Sequence, residues 1–380
     1  MGLVERARPF YSGRHVVSLH KEFHTPYPDC GLSMPKSVDA DAGHDPKSHK
    51  ISPQDPVFAA LDLGTNNCRL LIAKTVPNAS KANNGLRVLD SFSRIVRLGE
   101  GISASGMLCG EAMDRTIMAL RVCKKKLEKY DVSHARFVAT EACRQASNSK
   151  EFLHKVKHEL GLDIKIISTE EEAKLAFMGC ATLLEDSFPH ALVFDIGGGS
   201  TEFMWITKND ESPPVPRIKD WFSLNQGVMN LSEKFGGHQF ADMVFDEMVE
   251  KLCAKLEDFD GNNDISSAVE SGTVQLLSTS GTVTTLAAIH MGLQRYERSR
   301  IDGITLPTEA LRKAVRTILK MRPSERFSHP CIGSDRSDYI ISGCAIFEAI
   351  CTLWDIPSIT IADRGVREGI IISLIKKHVK

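Results

Sequence analysis

The sequence predicts an α/β protein with two related domains facing a central cleft, and two stretches carry that prediction. ALVFDIGGGSTEFMWI, from Ala191 to Ile206, reads as apolar strand, tight turn and apolar strand. VFAALDLGTNNCRLLIAK, from Val57 to Lys74, has the same grammar. In both, an apolar run stops at an aspartate (Asp195, Asp62), small and polar residues follow, and a second apolar run closes the unit. Self-similarity of this kind marks a duplicated supersecondary unit, so one loop is expected on each wall of the cleft.

The loop chemistry suits phosphate. Gly197, Gly198 and Gly199 in one loop and Gly64 in the other permit positive φ and bring a ligand close to backbone N–H groups. Ser200, Thr201, Thr65 and Asn66 add side-chain donors. An aspartate at the strand end can hold a hydrated Mg²⁺ or orient a water beside the phosphate, which makes Asp62 and Asp195 the candidate metal residues. A glycine run by itself also makes an ordinary hairpin, and the second copy is what favours the cradle.

Composition limits the rest. At 380 residues the chain is long enough for two or three domains, with 42% hydrophobic and 7% aromatic residues. The net charge of −1 gives no global field toward nucleic acid or an anionic membrane, so neither is expected as a partner. The ten cysteines show no C-x-x-C pair and sit largely inside apolar runs, as free thiols do in a reducing compartment. There is neither a bilayer-length apolar stretch nor an N-terminal apolar signal region, and a cytoplasmic location is expected.

Along the chain, residues 1–56 hold 7 of the 16 prolines without sustained periodicity and read as a disordered extension; a start codon assigned too early would also explain them. The histidines there (His15, His20, His24, His44, His49) match no ligand spacing. Strands at Val57–Leu61 and Leu70–Lys74 flank the first loop, and Arg87–Phe92 is a third strand. SRIVRLGEGISASGML is kept a loop by Gly99, Gly101 and Gly106; Arg94 and Arg97 before them suit phosphate oxygens or are ordinary surface arginines. Glu111–Tyr130 is a helix with Met113, Ile117, Leu120 and Leu127 on one face and a solvated lysine run on the other. The strand Arg136–Thr140 runs into ATEACRQASN, so Glu141 projects from a strand end toward the cleft. Helix Lys150–Leu160 follows; its His154 and His158 have no third ligand in view and read as an exposed face.

Ile164–Ile167 is a short strand before a helix capped by Ser168 or Thr169. The helix dipole alone explains Glu170, Glu171 and Glu172 in its first turn; one of them also has the chance to face the site, and Glu171 is the candidate. After the second loop, Asn209–Pro216 reads as a hairpin tip or linker, Asn225–Phe235 and Phe240–Leu256 as helices, and GNNDISSAVESG as an irregular break. Gln275–Ser278 is a strand leading through a small-residue turn at Gly281 into a helix whose N-terminal amides suit an anion. Helices at Leu306–Met321 and Tyr339–Leu353 precede a strand to Ile361, a turn at Asp363–Gly365 and a last helix.

The order of these turns resembles the acetate kinase, sugar kinase, Hsp70 and actin superfamily. Four strings, VRLGEGI from Val96, ATEACRQASN from Ala139, FDIGGGSTEF from Phe194 and ADRGVREGI from Ala362, resemble its exopolyphosphatase and guanosine pentaphosphate phosphohydrolase (Ppx/GppA) branch over residues 57–377. The resemblance implies two ribonuclease H-like (actin-like ATPase) domains, 57–188 and 189–380, with the final helix 366–377 free to pack back on the first. It implies hydrolytic release of terminal phosphate, with Mg²⁺, from inorganic polyphosphate or from pppGpp, a nucleotide of the stringent response. Carried over by motif, Gly64, Thr65, Asn66, Gly197, Gly198, Gly199, Ser200 and Thr201 would bind phosphate, Arg97 would grip it, Glu141 would be the catalytic carboxylate and Glu171 a second acid. Asn67 stands where the family loop often has serine, and the chain looks like the short form, without the C-terminal helical domains of longer relatives. A homodimer is plausible by family. The alternatives are a kinase of the same superfamily and a sensor that binds guanosine tetraphosphate with little turnover.

Overall fold

A computed structural model describes residues 56–76, 85–209, 211, 214–235 and 242–379. The N-terminal extension expected from composition, with its histidines, lies outside the described residues except for Pro56.

The chain builds two mixed sheets. The first contains β1 (Val57–Leu63), β2 (Asn67–Thr75), β3 (Leu86–Ile95), β4 (His134–Ala139) and β5 (Lys165–Ile166), in the order β3-β2-β1-β4-β5. The second contains β6 (His190–Ile196), β7 (Thr201–Lys208), β8 (Pro216–Leu224), β9 (Val274–Ser278), β10 (Ile304–Pro307) and β11 (Ser358–Ile361), in the order β10-β11-β9-β6-β7-β8. In each sheet an antiparallel meander of three strands is extended by two strands parallel to its first. The internal repeat seen as two hairpins is therefore a repeat of whole sheets, and β10 is an added antiparallel edge. The helices are α1 (Ile102–Ser105), α2 (Gly110–Lys129), α3 (Glu141–Gln145), α4 (Ser149–Leu160), α5 (Thr169–Cys180), α6 (Val228–Lys234), α7 (Asp242–Asn263), α8 (Ile265–Glu270), α9 (Gly281–His290), α10 (Arg298–Ile301), α11 (Thr308–Lys320), α12 (Pro323–Ser328), α13 (Ile340–Leu353) and α14 (Val366–His378).

Strand periodicity divides the apolar residues between cores. Ala59, Leu61 and Leu63 of β1 face α2 and α4, while Phe58 and Ala60 turn to the layer of α5 and α14. In the second sheet Leu192, Phe194 and Ile196 of β6 join the core of α7, α9, α11 and α13, and Ala191 and Val193 turn to the same middle layer. Strands buried on both faces read as continuous apolar runs, as VFAAL and ALVF do. Helix α14 crosses α5 at unusually close range: a Cβ on Gly369 would stand 1.9 Å from the Leu175 carbonyl oxygen. Although last in sequence, α14 packs against β1, β2 and β4 of the first sheet as well as α5.

Several elements differ from expectation. The region 217–224, not assigned beyond the proline-rich tip, is the edge strand β8, paired antiparallel with β7 through a register shift opposite Trp205 and Ile206 that breaks its polar–apolar alternation at Lys219–Phe222. The expected break at Gly261–Gly272 is mostly helical, interrupted only at Asp264 (φ 53°) between α7 and α8: Phe259 continues the buried stripe of Met248, Leu252 and Leu256, and the Asn263 side-chain amide bonds Asp220 and the Phe259 carbonyl. Leu306 and Pro307 belong to β10, and the helix starts at Thr308, because Pro307 cannot donate to an interior ladder but suits a strand end preceding a helix. The glycine-rich loop contains the single turn α1, bounded by Gly101 and Gly106 at positive φ.

Candidate active site

The parallel strands of both sheets point their carboxyl ends into one cleft, where ligands bind in open α/β sheets. There lies a cavity of about 140 Å³ walled by both glycine loops, Glu141 after β4, Glu172 in α5, Thr279 and Thr282 around the start of α9, and Asp363 after β11.

The two loops are built alike. Gly64 N–H donates to the Asn67 carbonyl and Gly197 N–H to the Ser200 carbonyl, both at 2.9 Å. Their carbonyls are occupied from outside the cavity: Val96 and Arg97 amides bond Asn66 O, and Gly99 N–H bonds Thr65 O. On the other side, Val228 and Met229 amides at the start of α6 bond Gly197 O and Gly198 O, and the Asn230 amide bonds Gly199 O. The amides of Thr65, Asn66, Gly198, Gly199 and Ser200 have no hydrogen-bond partner among the described residues. Buried backbone donors are nearly always paired, so this set waits for an acceptor. The loops also touch. A Cβ on Gly199 would lie 2.8 Å from Thr65 Oγ1 and 3.1 Å from Glu141 Cγ, and one on Gly198 would lie 3.1 Å from Thr65 Cβ.

Asp62 pairs in register with Arg69, and Asp195 with Glu202. These residues occupy equivalent places, so the duplicated hairpin carries a cation on one wall and a carboxylate on the other. Burial pushes Asp62 above the usual carboxylate range, against the pull of Arg69 and Arg367. Asp195 is raised by burial too, with Arg69 opposing. Burial raises Glu202 to about 7, although the Ser200 hydroxyl donates to it at 2.6 Å. Glu172 is raised by burial and by Glu202, with Arg144 pulling the other way. Facing these acids are Arg69, Arg336 and Arg367, none in an ion pair among the described residues. Burial and repulsion from Arg69 weaken the hold of Arg336 on its proton, and burial lowers Arg367 likewise. Crowded guanidinium groups without carboxylate partners favour an anion between them.

Of the residues expected from sequence, Asp62, Gly64, Thr65, Asn66, Glu141, Asp195, Gly197, Gly198, Gly199 and Ser200 all line the cavity. Three do not. Glu171 points outward into an ion pair with Arg136, and its side chain is 42% exposed; the next residue, Glu172, turns inward instead. Successive helical residues point about 100° apart, so only the helix rotation fixed by packing against α14 decides between them. Arg97, at φ 49°, pairs with Asp338 at 3.3 Å and lies over the Tyr339 ring at the rim of the cleft. Thr201 gives its hydroxyl to the Gln226 carbonyl and supports the loop from behind. Sequence reasoning missed Arg69, Glu202, Arg336 and Arg367. The spacing of seven from each loop aspartate would have found the first two, whereas Arg336 comes from the turn before α13 and Arg367 from the first turn of α14.

A divalent cation fits this donor set. Among the described residues no group of three or more His, Cys, Asp or Glu side chains is arranged to hold a metal alone. Mg²⁺ needs less, because it keeps several waters and takes one or two carboxylates together with phosphate oxygens. The facing Asp62 and Asp195 would supply those carboxylates, and the buried Asn66 Oδ1, with no partner among the described residues, would accept from a metal-bound water.

Duplicated ribonuclease H-like sheets with paired phosphate-type loops define an actin-like ATPase fold. The model of the Ppx/GppA phosphatase family matches residues 78–378, and the chain belongs to that family. It is 28% identical, over 84% of its length and 91% of the relative's, to a putative exopolyphosphatase of Haemophilus influenzae. It is 30% identical to the guanosine-5'-triphosphate,3'-diphosphate pyrophosphatase of Aeromonas salmonicida, over 84% of this chain and 60% of that one. A bifunctional 3-dehydroquinate synthase/phosphatase of Fusobacterium nucleatum is 28% identical over 77% of this chain, which spans only 42% of that protein. Among solved structures, the Aquifex aeolicus Ppx/GppA family member superposes with a TM-score of 0.68 at 26% identity, covering 86% of this chain and 99% of that one.

Proposed function

We propose that this chain is a Mg²⁺-dependent phosphohydrolase that removes terminal phosphate from inorganic polyphosphate or from guanosine pentaphosphate. The observation that carries the reading is the set of five loop amides that line one cavity without a hydrogen-bond partner among the described residues, beside three guanidinium groups that make no ion pair there. The names of the Haemophilus and Aeromonas relatives support the two substrates. The cavity, about 140 Å³, is smaller than the ~300–1,000 Å³ of ordinary small-molecule pockets, which suits the end of a phosphate chain.

Phosphoryl transfer to water requires neutralised phosphate oxygens and an oriented nucleophile rather than a covalent intermediate. The loop amides, with Arg69 and Arg336, bind and neutralise the terminal phosphate. Glu141 holds the attacking water and takes its proton, and Glu172, in place of Glu171, stands beside it. Arg97 guards the rim, where the remainder of the chain leaves the cleft. Asp62 and Asp195 would hold Mg²⁺, which when bound supplies positive charge to phosphate oxygens.

Two features of the wider reading follow. The nine described cysteines are all free, which supports a cytoplasmic location, and no described helix is long and apolar enough to cross a membrane. A homodimer remains part of the proposal by family.

The test is phosphate release from polyphosphate, guanosine pentaphosphate and ATP by purified protein with Mg²⁺. General-base assistance is worth roughly 10²–10⁴ in rate, so Glu141→Gln is expected to fold normally and lose that factor. Undiminished turnover by Glu141→Gln removes Glu141 from the mechanism. Absence of product from every substrate, with tight guanosine tetraphosphate binding, identifies a sensor instead.

A further inference from the structure

Arg144 lies one helical turn after Glu141 and is not part of the cavity wall, yet it ties together two carboxylates that are. Its Nε donates to Glu141 Oε2 at 2.8 Å, and Nη2 stands 2.7 Å from the same oxygen without hydrogen-bond alignment. On its other edge, Nη1 donates to Glu172 Oε2 at 2.8 Å and to the Ile167 carbonyl at 3.0 Å. The guanidinium therefore joins α3, the turn after β5 and the first turn of α5. Its side chain is 16% exposed, and the carboxylates of Glu141 and Glu172 are 13% and 15% exposed. The remaining Glu141 oxygen, Oε1, accepts from Gln145 Nε2 at 2.6 Å, and that amide reaches Asn225 across the cleft.

A glutamate has three rotatable bonds, and Glu141 sits in the first turn of a five-residue helix that does little to hold it. A base is effective only when held within about 0.5 Å of its working position. A planar guanidinium with donors on two edges fixes both distance and plane, which a lysine ammonium cannot do.

We propose that Arg144 is a positioning residue of the hydrolytic site, locking the Glu141 carboxylate against Glu172 so that one Glu141 lone pair faces the attacking water. The proposal rests on the phosphohydrolase reading. Because Nε and Nη1 are engaged with protein and Arg144 stands outside the cavity wall, it acts through Glu141 and leaves substrate binding to other groups.

The test measures phosphate release from polyphosphate by Arg144→Ala, Arg144→Lys, Glu141→Gln and the Arg144→Ala/Glu141→Gln double variant. Misplacement of about 1 Å costs on the order of 10²-fold in rate. Arg144→Ala should therefore lose about that factor in kcat with KM changed less than about threefold, and millimolar guanidinium chloride should restore part of it. Arg144→Lys keeps the charge without the fork and should fall between Ala and wild type; it carries the same kcat and KM reading if Arg144→Ala does not fold. The double variant should be no slower than Glu141→Gln. A raised KM at unchanged kcat, an unchanged kcat, or a full further loss in the double variant would overturn the proposal. Undiminished turnover by Glu141→Gln alone would instead sink the underlying reading, and is seen independently of any Arg144 variant.

Discussion

The contact between the two loops makes Gly199→Ala the sharpest probe of whether they form one site. An alanine methyl would stand 2.8 Å from Thr65 Oγ1, 3.1 Å from Glu141 Cγ and 3.4 Å from Thr65 Cγ2. Ordinary contact begins near 3.4 Å, so Thr65 must withdraw by about 0.6 Å and Glu141 by about 0.3 Å, a small overpacking that costs about 1–3 kcal/mol if nothing yields. Both neighbours are side chains that can turn aside, and the lower end of that range is expected for stability. Catalysis has less tolerance: moving the base and one phosphate contact together by a fraction of an ångström should lower kcat by roughly 10-fold or more. Thermal unfolding and phosphate release on the same preparation separate the two effects. Wild-type kcat in a folded Gly199→Ala protein would refute the view that Glu141, Thr65 and the second loop act on one phosphate. Gly227→Ala is the contrasting case, since its methyl would meet the Gly198 carbonyl carbon at 2.4 Å and the Gly199 nitrogen at 2.5 Å. Backbone cannot turn aside, and loss of stability should dominate there.

Other outcomes follow from the same geometry. Glu172→Gln should cost about 10- to 100-fold in kcat, as loss of a supporting partner typically does, whereas Glu171→Gln breaks only an exposed pair and should stay within about twofold; the reverse order in a kinetic comparison would restore Glu171 to the site. Glu202 is an acid whose value is raised on folding from 4.5 to about 7. Its contribution to stability is thus complete below pH 4.5 and lost as pH rises through 7, a difference of roughly 3 kcal/mol. Metal-free protein should show a Tm that falls across this window, and Glu202→Gln should flatten the fall; an equal slope in the variant would exclude Glu202 as its source. Chelation of Mg²⁺ should abolish phosphate release, and added Mg²⁺ should raise the Tm of wild type but not of Asp62→Asn/Asp195→Asn. An unchanged Mg²⁺ response in that double variant would place the ion elsewhere.

The sequence by itself determined the duplicated hairpins, their aspartates and their glycines, and through them the fold class and nine of the cavity residues, with Glu141 added by the strand end that precedes it. That information is local: strand periodicity, turn chemistry and a capped helix start are written within a few residues of one another. Edge strands β8 and β10 were illegible because half-exposed strands carry little apolar signal, because the prolines before β8 read as a tip or linker, and because Leu306 and Pro307 of β10 read as the start of the helix that follows. Which of Glu171 and Glu172 turns inward was fixed by α14, arriving from the far end of the chain to pack on α5. Arg336 and Arg367 likewise reach the first loop only after two hundred and more intervening residues have folded. Tertiary structure alone decided these, because side-chain direction on a helix, and the meeting of distant charges in one cavity, depend on packing that no local pattern encodes.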